Sequence, residues 1–177
     1  MLGTEVEFEL ESLSPIMFSM YLDEAQPKTP EGYQEQGPRK VHRDVSGDIC
    51  ITPEMILATV RAAAGDIAPR GKGKAMRREI MAGLYFREEM FSMGKKEPDE
   101  IDKRPVIRGK GEKTTLVMCY RPLIKEWKIT GTMILIELQP RFVKQAFDRA
   151  GIRYGLGSYR PRFGRFAVTK WEVKKQE

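Results

Sequence analysis

The stretch Gly151-Ile-Arg-Tyr-Gly-Leu-Gly-Ser-Tyr-Arg-Pro-Arg-Phe-Gly-Arg165 joins a predicted helix to the last predicted strand of the chain. It holds four glycines and four arginines, and it has no acidic residue. Glycine allows tight turns and lets a bulky anion approach backbone N–H groups. Arginine offers charge for phosphates, and the interleaved aromatic rings offer flat faces for bases. The composition therefore predicts a loop that holds the backbone of a nucleic acid.

A second basic segment, residues 69–78, is predicted to be a flexible loop with five positive charges and no negative one. The whole chain has a formal net charge of +6, so the rest of the sequence is net negative. Such concentration favours a polyanionic partner, although a merely solvated basic surface is the alternative. The segment lacks the Gly-x4-Gly-Lys-Ser/Thr spacing of a nucleotide-binding loop, so NTP hydrolysis is not indicated.

Hydrophobic periodicity assigns the main elements. Alternation over Thr4–Leu13 predicts a strand with Val6, Phe8 and Leu10 inward and its glutamates outward, a face on which nucleic acid is not expected. A helix is predicted to begin at Pro53 after the N-cap Thr52. This helix is predicted to end at Gly65. The elements predicted after it are an antiparallel hairpin of strands 114–120 and 127–138, a helix at 141–150 and a last strand at 165–173.

This order predicts an α+β protein of the ferredoxin-like, RRM-like type, βαββαβ. Its antiparallel sheet would carry both helices on one face and leave the other as an open platform, as RNA-recognition modules do. We expect a single domain over residues 1–177, with insertions at about 20–47 and 66–112 and a C-terminal glycine-rich loop.

Several function classes find no support in the sequence. No apolar run approaches the ~18–20 residues that a membrane-spanning helix needs, and no signal peptide is recognised, so the expected location is the cytoplasm, with no membrane partner. Cys50 and Cys119 are expected to be buried thiols, a disulfide being the alternative. A single histidine without a CxxC pair predicts no metal site, and no cofactor is expected.

Three motifs resemble a known group of proteins. They are Leu13-Ser-Pro-Ile-Met17, Cys50-Ile-Thr-Pro-Glu-Met55 and Gly155-Leu-Gly-Ser-Tyr-Arg-Pro-Arg-Phe-Gly-Arg-Phe-Ala-Val168. With them the chain, from about residue 4 to 173, resembles the RAMP superfamily of CRISPR-associated RNA-binding proteins, and most closely the small RAMP-like proteins of phages and mobile elements. The resemblance implies single-stranded nucleic-acid binding and, in some members, self-assembly along the strand.

The predicted binding residues come from both basic segments and from a third cluster at 39–43. Arginine and lysine would contact phosphates, while Tyr159 and Phe163 would stack on bases. Since such contacts do not read sequence, low specificity is expected. The alternative for the loop is a demanding turn whose arginines pair with carboxylates of the same domain. The full set is Arg39, Arg43, Arg70, Lys72, Lys74, Arg77, Arg78, Gly155, Gly157, Tyr159, Arg160, Arg162, Phe163 and Arg165.

His42 is the one catalytic candidate, because histidine titrates near neutral pH. The first expectation is a non-enzymatic protein that binds single-stranded DNA or RNA, of the phage ssDNA-binding or annealing type, with copies assembling as a homo-oligomer or filament along the strand. One alternative, implied by the resemblance, is a metal-independent RAMP-type endoribonuclease that uses His42. Another is an interaction protein of a CRISPR or replication complex.

Overall fold

The computed structural model describes residues 3–109, 111 and 114–174, apart from the Arg108 side chain. Within this part the protein is α+β, with ten strands and four α-helices. The strands are β1 (Thr4–Ser12), β2 (Ile16–Met17), β3 (His42–Arg43), β4 (Ile49–Ile51), β5 (Leu84–Phe86), β6 (Phe91–Ser92), β7 (Glu100–Arg108), β8 (Thr115–Ile124), β9 (Lys128–Leu135) and β10 (Phe166–Val173). The helices are α1 (Pro30–Gln36), α2 (Pro53–Ile67), α3 (Gly73–Gly83) and α4 (Pro140–Arg153), with a 3-10 turn at Gly37–Arg39.

The main sheet has four antiparallel strands in the order β10-β1-β9-β5. Strand β1 lies in its middle, where Phe8 is paired with Trp171 on β10 and with Gly131 on β9. Two three-stranded sheets, β2-β8-β7 and β3-β4-β6, complete the structure. No helix within the described residues has the length and apolar character that a membrane span requires.

The core lies between the main sheet and helices α2 and α4. Val6, Phe8 and Leu10 are buried, as the alternation in β1 predicts. The Phe8 ring lies 5.7 Å from that of Phe91 and 5.8 Å from that of Phe147 on α4. A Cβ at position 131 would come within 2.3 Å of Phe91. Glycine on β9 therefore makes room for the aromatic cluster at the centre of the core.

The outer face of the main sheet carries charges that are paired with one another. Glu7 accepts from Lys170 at 2.9 Å and lies 2.8 Å from Lys174, and Lys128 lies 3.1 Å from Glu9. Arg87 of the loop after β5 pairs with Glu5 in the same way. This face offers neutralised charges rather than the open basic platform of an RNA-binding sheet.

The predicted hairpin of strands 114–120 and 127–138 is wrong. Strand β8 pairs with β2 and β7, whereas β9 pairs with β1 and β5 in the main sheet. The short strand β5, with Leu84 buried, takes the place beside β9 that the prediction gave to β8. Strand β8 instead continues through Ile124 and pairs with β7 along nine residues, although only residues 125–127 separate it from β9 along the chain.

The boundary between the first predicted helix and the basic segment also differs. Thr52 caps α2 by accepting from the Met55 N–H at 3.4 Å, as predicted. The helix continues past Gly65 to Ile67. Gly65 does not end the helix but allows α3 to pack closely against α2. A Cβ on Gly65 would lie 2.1 Å from Arg77, and one on Gly73 would lie 2.6 Å from the Gly65 carbonyl. Residues 73–78 are therefore helical, and only 69–72 form a loop.

Cys50 and Cys119, both within the described residues, are buried and form no disulfide. Burial raises the pKa of Cys50 to about 11, so this thiol remains protonated at neutral pH. The structure thus agrees with the expectation of buried thiols.

The paired outer face predicts a specific acid sensitivity. Hydrogen bonds from Lys174 and Lys170 lower the pKa of Glu7 from 4.5 to about 2. A depressed carboxylate pKa gives stability that is present above the unfolded-state value and is lost as the pH falls from 4.5 towards 2. We expect Glu7→Gln to lose less unfolding free energy than the wild type on acidification through this window, as measured by urea titration.

The matched control is Glu35→Gln, an exposed carboxylate on α1. It should keep the wild-type acid dependence. Equal acid dependence in Glu7→Gln and the wild type would contradict the assignment.

Candidate nucleic-acid interface

The glycine-rich loop, residues 154–165, connects α4 to β10 and is closed by backbone hydrogen bonds. The Leu156 N–H donates to the Gly164 carbonyl at 2.9 Å. The N–H groups of Ser158 and Gly164 donate to Met17 and Pro15, each at 2.7 Å. Met17 ends β2 and Pro15 directly precedes that strand, so two of the three sequence motifs contact each other directly.

Glycine is required in this loop for backbone conformation and close packing. Gly155, Gly157 and Gly164 have φ of 70°, 77° and 76°, in the left-handed region that other residues rarely adopt. A Cβ on Gly157 would lie 2.3 Å from the Met17 carbonyl, and one on Gly164 would lie 1.8 Å from that of Leu156. The prediction that glycine N–H groups face an anion needs correcting at Gly155, whose N–H donates to the Ala150 carbonyl at 2.9 Å. Close packing of Gly155 and Gly157 holds the loop against the protein.

Two of the three aromatic residues of the loop, Tyr159 and Phe163, contact arginines of the β7–β8 hairpin. The Tyr159 ring lies 4.8 Å from the Arg104 guanidinium and 4.5 Å from that of Arg121. Arg104 also lies 5.1 Å from the Phe163 ring. Tyr159 has a φ of 54°, an unusual value for a bulky residue. The rings predicted to stack on bases are therefore engaged by the protein's own cations.

The three arginines at the end of the loop contact a hydroxyl, a carbonyl and an aromatic ring of the protein. Arg160 donates to Thr59 of α2 at 3.0 Å, and the buried Thr59 hydroxyl donates to the Gly155 carbonyl at 2.9 Å. Arg165 donates to the Pro161 carbonyl at 2.9 Å, and Arg162 lies 5.9 Å from the Phe163 ring. All three are exposed, and none forms an ion pair with a described residue.

Asp66, at the end of α2, joins the two basic segments. Its carboxylate lies 4.0 Å from Arg77 on α3 and 3.9 Å from Arg153 on α4, and it accepts a hydrogen bond from the Tyr154 hydroxyl. Burial and this carboxylate raise the pKa of Tyr154. The predicted segments 69–78 and 151–165 are thus neighbours in space. Arg77 is partly neutralised there, so it is less available to a ligand than the sequence suggested.

The remaining cations of the second segment are exposed. They make no ion pair or hydrogen bond with a side chain in the described part of the protein. An unpaired exposed cation keeps its full charge for a polyanion. These residues are Arg70, Lys72, Lys74 and Arg78.

The third predicted cluster is largely used by the protein itself. Arg39 forms an ion pair with Glu24 at 2.7 Å. Arg43 donates to the Gly47 carbonyl at 2.7 Å and to that of Lys96, and it lies 3.8 Å from Glu97. Both side chains have internal structural partners, which weakens their assignment as phosphate contacts.

His42 lies on β3, opposite Cys50 of β4, and is half-buried. Burial lowers its pKa below the ordinary value of 6.5, so the ring is neutral at pH 7. No cluster of three or more His, Cys, Asp or Glu side chains within residues 3–109, 111 and 114–174 is placed to hold a metal ion.

Sequence reasoning missed three residues of this region. Arg104, Arg121 and Asp66 contact the predicted segments from other elements. The predicted strand bounds leave Arg121 in a connector, whereas β8 includes Arg121 and pairs it with Asp102 of β7. The alternation of strand residues could have placed Asp102 and Arg104 on one face, where they hydrogen-bond at 2.5 Å.

Comparison with known proteins shows a likeness of fold. One chain of a structure described as a cryo-EM structure of the Type III-B Cmr-beta bound to cognate target RNA has a TM-score of 0.58 and 13% identity, over 97% of this chain and 61% of that one. A chain of a Cas6 product complex has a TM-score of 0.36 and 13% identity, over 92% and 50%. This chain therefore spans about three fifths and one half of theirs. No protein-family model and no curated protein matches the sequence.

The close contacts of the loop predict which glycine the fold requires most. Gly164→Ala places a Cβ on a backbone carbonyl and in a left-handed conformation, so we expect a loss of about 3 kcal/mol or more of unfolding free energy. Gly71→Ala is the matched control, because Gly71 has a φ of 82° but open space around it. It should lose only about 1 kcal/mol. Urea denaturation measures both variants, and equal losses would contradict the steric argument.

Proposed function

We propose that this protein binds single-stranded nucleic acid along the surface that runs from α3 across the glycine-rich loop. The observation that carries the proposal is the meeting of two acid-free basic segments at Asp66. The same two segments carry exposed cations without carboxylate partners in the described residues. They are Arg70, Lys72, Lys74, Arg78, Arg160, Arg162 and Arg165.

The fold supports a finer classification as part of the same proposal. The elements β1, α2, β5, β9, α4 and β10 follow the order βαββαβ, and their sheet order is β10-β1-β9-β5. We infer a single ferredoxin-like domain of RAMP type with insertions before α2 and between α2 and β9. The fold shared with a chain of the Cmr-beta complex and the resemblance of the three sequence motifs both favour this inference.

Binding on this surface would rest mainly on charge. Arginine and lysine contact phosphate oxygens without reading the bases, so DNA and RNA strands of different sequence would bind alike. The Cmr-beta complex is described as bound to target RNA, which makes RNA a necessary test ligand beside the phage-type ssDNA expected from the sequence. A single strand suits this surface because its unpaired bases can stack on aromatic side chains while its phosphates contact cations. Tyr159 and Phe163 are the aromatic residues that lie beside cations here.

The outer face of the main sheet is not part of this surface. Its lysines are held by Glu7, Glu9 and Glu172 within about 3 Å, so a phosphate would have to compete with carboxylates already in place. The unpaired cations near the loop need no such exchange. We therefore assign the interface to the surface with unpaired cations and use paired lysines as controls.

We expect the triple variant Lys74→Gln, Arg78→Gln, Arg162→Gln to bind oligothymidylate and oligouridylate more weakly than the wild type. Each lost phosphate contact should reduce the slope of log affinity against log salt by about 0.7, so the triple variant should lose about 2. Fluorescence anisotropy over a salt series measures this slope. The stoichiometry of the same titration tests whether copies assemble along the strand.

The control removes three paired lysines instead, as Lys128→Gln, Lys144→Gln, Lys170→Gln. Its net charge equals that of the test variant, and it should keep the wild-type slope. Equal losses in both variants would show that net charge, rather than this surface, governs binding. Wild-type affinity that does not change with salt would contradict the proposal itself.

We also propose that the protein is not a ribonuclease. His42 is half-buried on β3, and the nearby Arg39 and Arg43 have protein partners. Incubation of labelled structured RNA with EDTA should therefore leave the RNA intact, as judged on a denaturing gel. Cleavage by the wild type that His42→Ala abolishes would establish the enzymatic alternative.

A further inference from the structure

The β7–β8 hairpin brings Arg104 and Arg121 beside Tyr159. The two guanidinium groups differ in their hydrogen-bond partners. Arg104 donates through Nε and Nη2 to Asp102, each at 2.5 Å. Arg121 has no carboxylate partner among the described residues, although Asp102 lies directly opposite it in the strand register. Its Nη1 is buried and has no hydrogen-bond acceptor in that part of the structure.

A buried charged donor without an acceptor is costly, and folded proteins satisfy nearly all such groups. Two guanidinium groups and one carboxylate meet at this point, so the local charge is positive. The carboxylate is already used by Arg104. An acceptor with negative charge would both complete the Nη1 donor of Arg121 and balance the local positive charge.

The position of Arg121 connects it to the proposed interface. The Arg121 guanidinium lies 4.5 Å from the Tyr159 ring. Arg160, which follows Tyr159 in the chain, donates a hydrogen bond to Thr59 on α2. Arg121 thus extends the line of cations from α3 and the glycine-rich loop onto the hairpin. The group beside this guanidinium is the Tyr159 side chain. A side chain can move away by rotation about its χ angles, without a change of the main chain.

We propose that Arg121 is a binding residue for an oxyanion, namely a phosphodiester of the bound strand, which it contacts when the Tyr159 ring moves aside. The proposal deepens the proposed function and rests on it for the identity of the ligand. Guanidinium groups bind phosphate oxygens through directed hydrogen bonds, which supply the acceptor that Nη1 lacks. Tyr159, once released, lies next to the strand and can stack on a neighbouring base.

The test uses the full chain and a fluorescent oligothymidylate of about 20 nucleotides, titrated by anisotropy over a salt series. Arg121→Gln should bind about tenfold more weakly, with a salt slope reduced by about 0.7. Arg121→Lys should retain the slope because it keeps the charge. Lys103→Gln, on the other face of the hairpin, removes the same charge and should leave both quantities unchanged.

Thermal unfolding of the free variants separates a binding role from a structural one. Arg121→Gln should unfold at the wild-type temperature or above it, since it removes a buried donor without an acceptor. A lower unfolding temperature together with unchanged oligonucleotide affinity would make Arg121 a structural residue and overturn the proposal. Unchanged affinity and slope in Arg121→Gln, or equal losses in Lys103→Gln, would also overturn it.

A second arm separates a strand phosphate from a free one. Inorganic phosphate replaces chloride at equal ionic strength, and the unfolding temperature is measured for the wild type and for Arg121→Gln. Stabilisation that depends on Arg121, without an effect of this residue on oligonucleotide binding, would assign the site to free phosphate and overturn the strand contact. If the wild type binds no oligonucleotide, the proposed function fails, while this arm still decides whether Arg121 takes an oxyanion.

Discussion

The structure of the interface depends on the close approach between the glycine-rich loop and residues 15–17, which comprise β2 and the proline before it. Ser158 and Gly164 donate to the carbonyls of Met17 and Pro15 at 2.7 Å, a contact that a side chain at position 157 would obstruct. This contact fixes the loop in place. From it follow the position of Tyr159 on the hairpin and that of Arg160 on α2. The glycines therefore act through packing, and the arginines that they position carry the charge.

Pairing, rather than the number of cations, distinguishes the two basic surfaces of the molecule. Lysines on the outer face of the main sheet alternate with glutamates and are neutralised. The two basic segments near the glycine-rich loop meet at the carboxylate of Asp66, which Arg77 and Arg153 share. Asp66 thereby links α3 to the end of α4. The exposed cations of residues 70–78 other than Arg77, and the three arginines at the end of the loop, have no carboxylate partner in the described residues. A surface of this kind combines a defined shape with excess positive charge, as a polyanion site requires.

The sequence was sufficient where a local pattern decides the structure. The alternation in β1 gave Val6, Phe8 and Leu10 as the inward residues, and Thr52 with Pro53 gave the start of α2. It was insufficient where partners come from distant segments. The three residues of β5 carry too weak a pattern to show that they, and not β8, lie beside β9. The local pattern predicts a helix end at Gly65 and a loop at Gly73, whereas both glycines lie at the contact between α2 and α3.

The candidate site shows the same division. Residue composition identified the two basic segments, and the structure places them together. Composition could not show that Arg39 is paired with Glu24, or that Arg104 and Arg121 meet Tyr159, because these contacts join residues far apart along the chain. Long-range pairing decides which cations remain available to a ligand.

The most direct measurement of the central claim is photo-crosslinking of the wild-type protein to a single-stranded oligonucleotide, followed by identification of the modified peptides. The account predicts crosslinks within residues 69–78 and 154–165 and on the β7–β8 hairpin. Crosslinks confined to the outer face of β1, β9 and β10, with none near the glycine-rich loop, would contradict it.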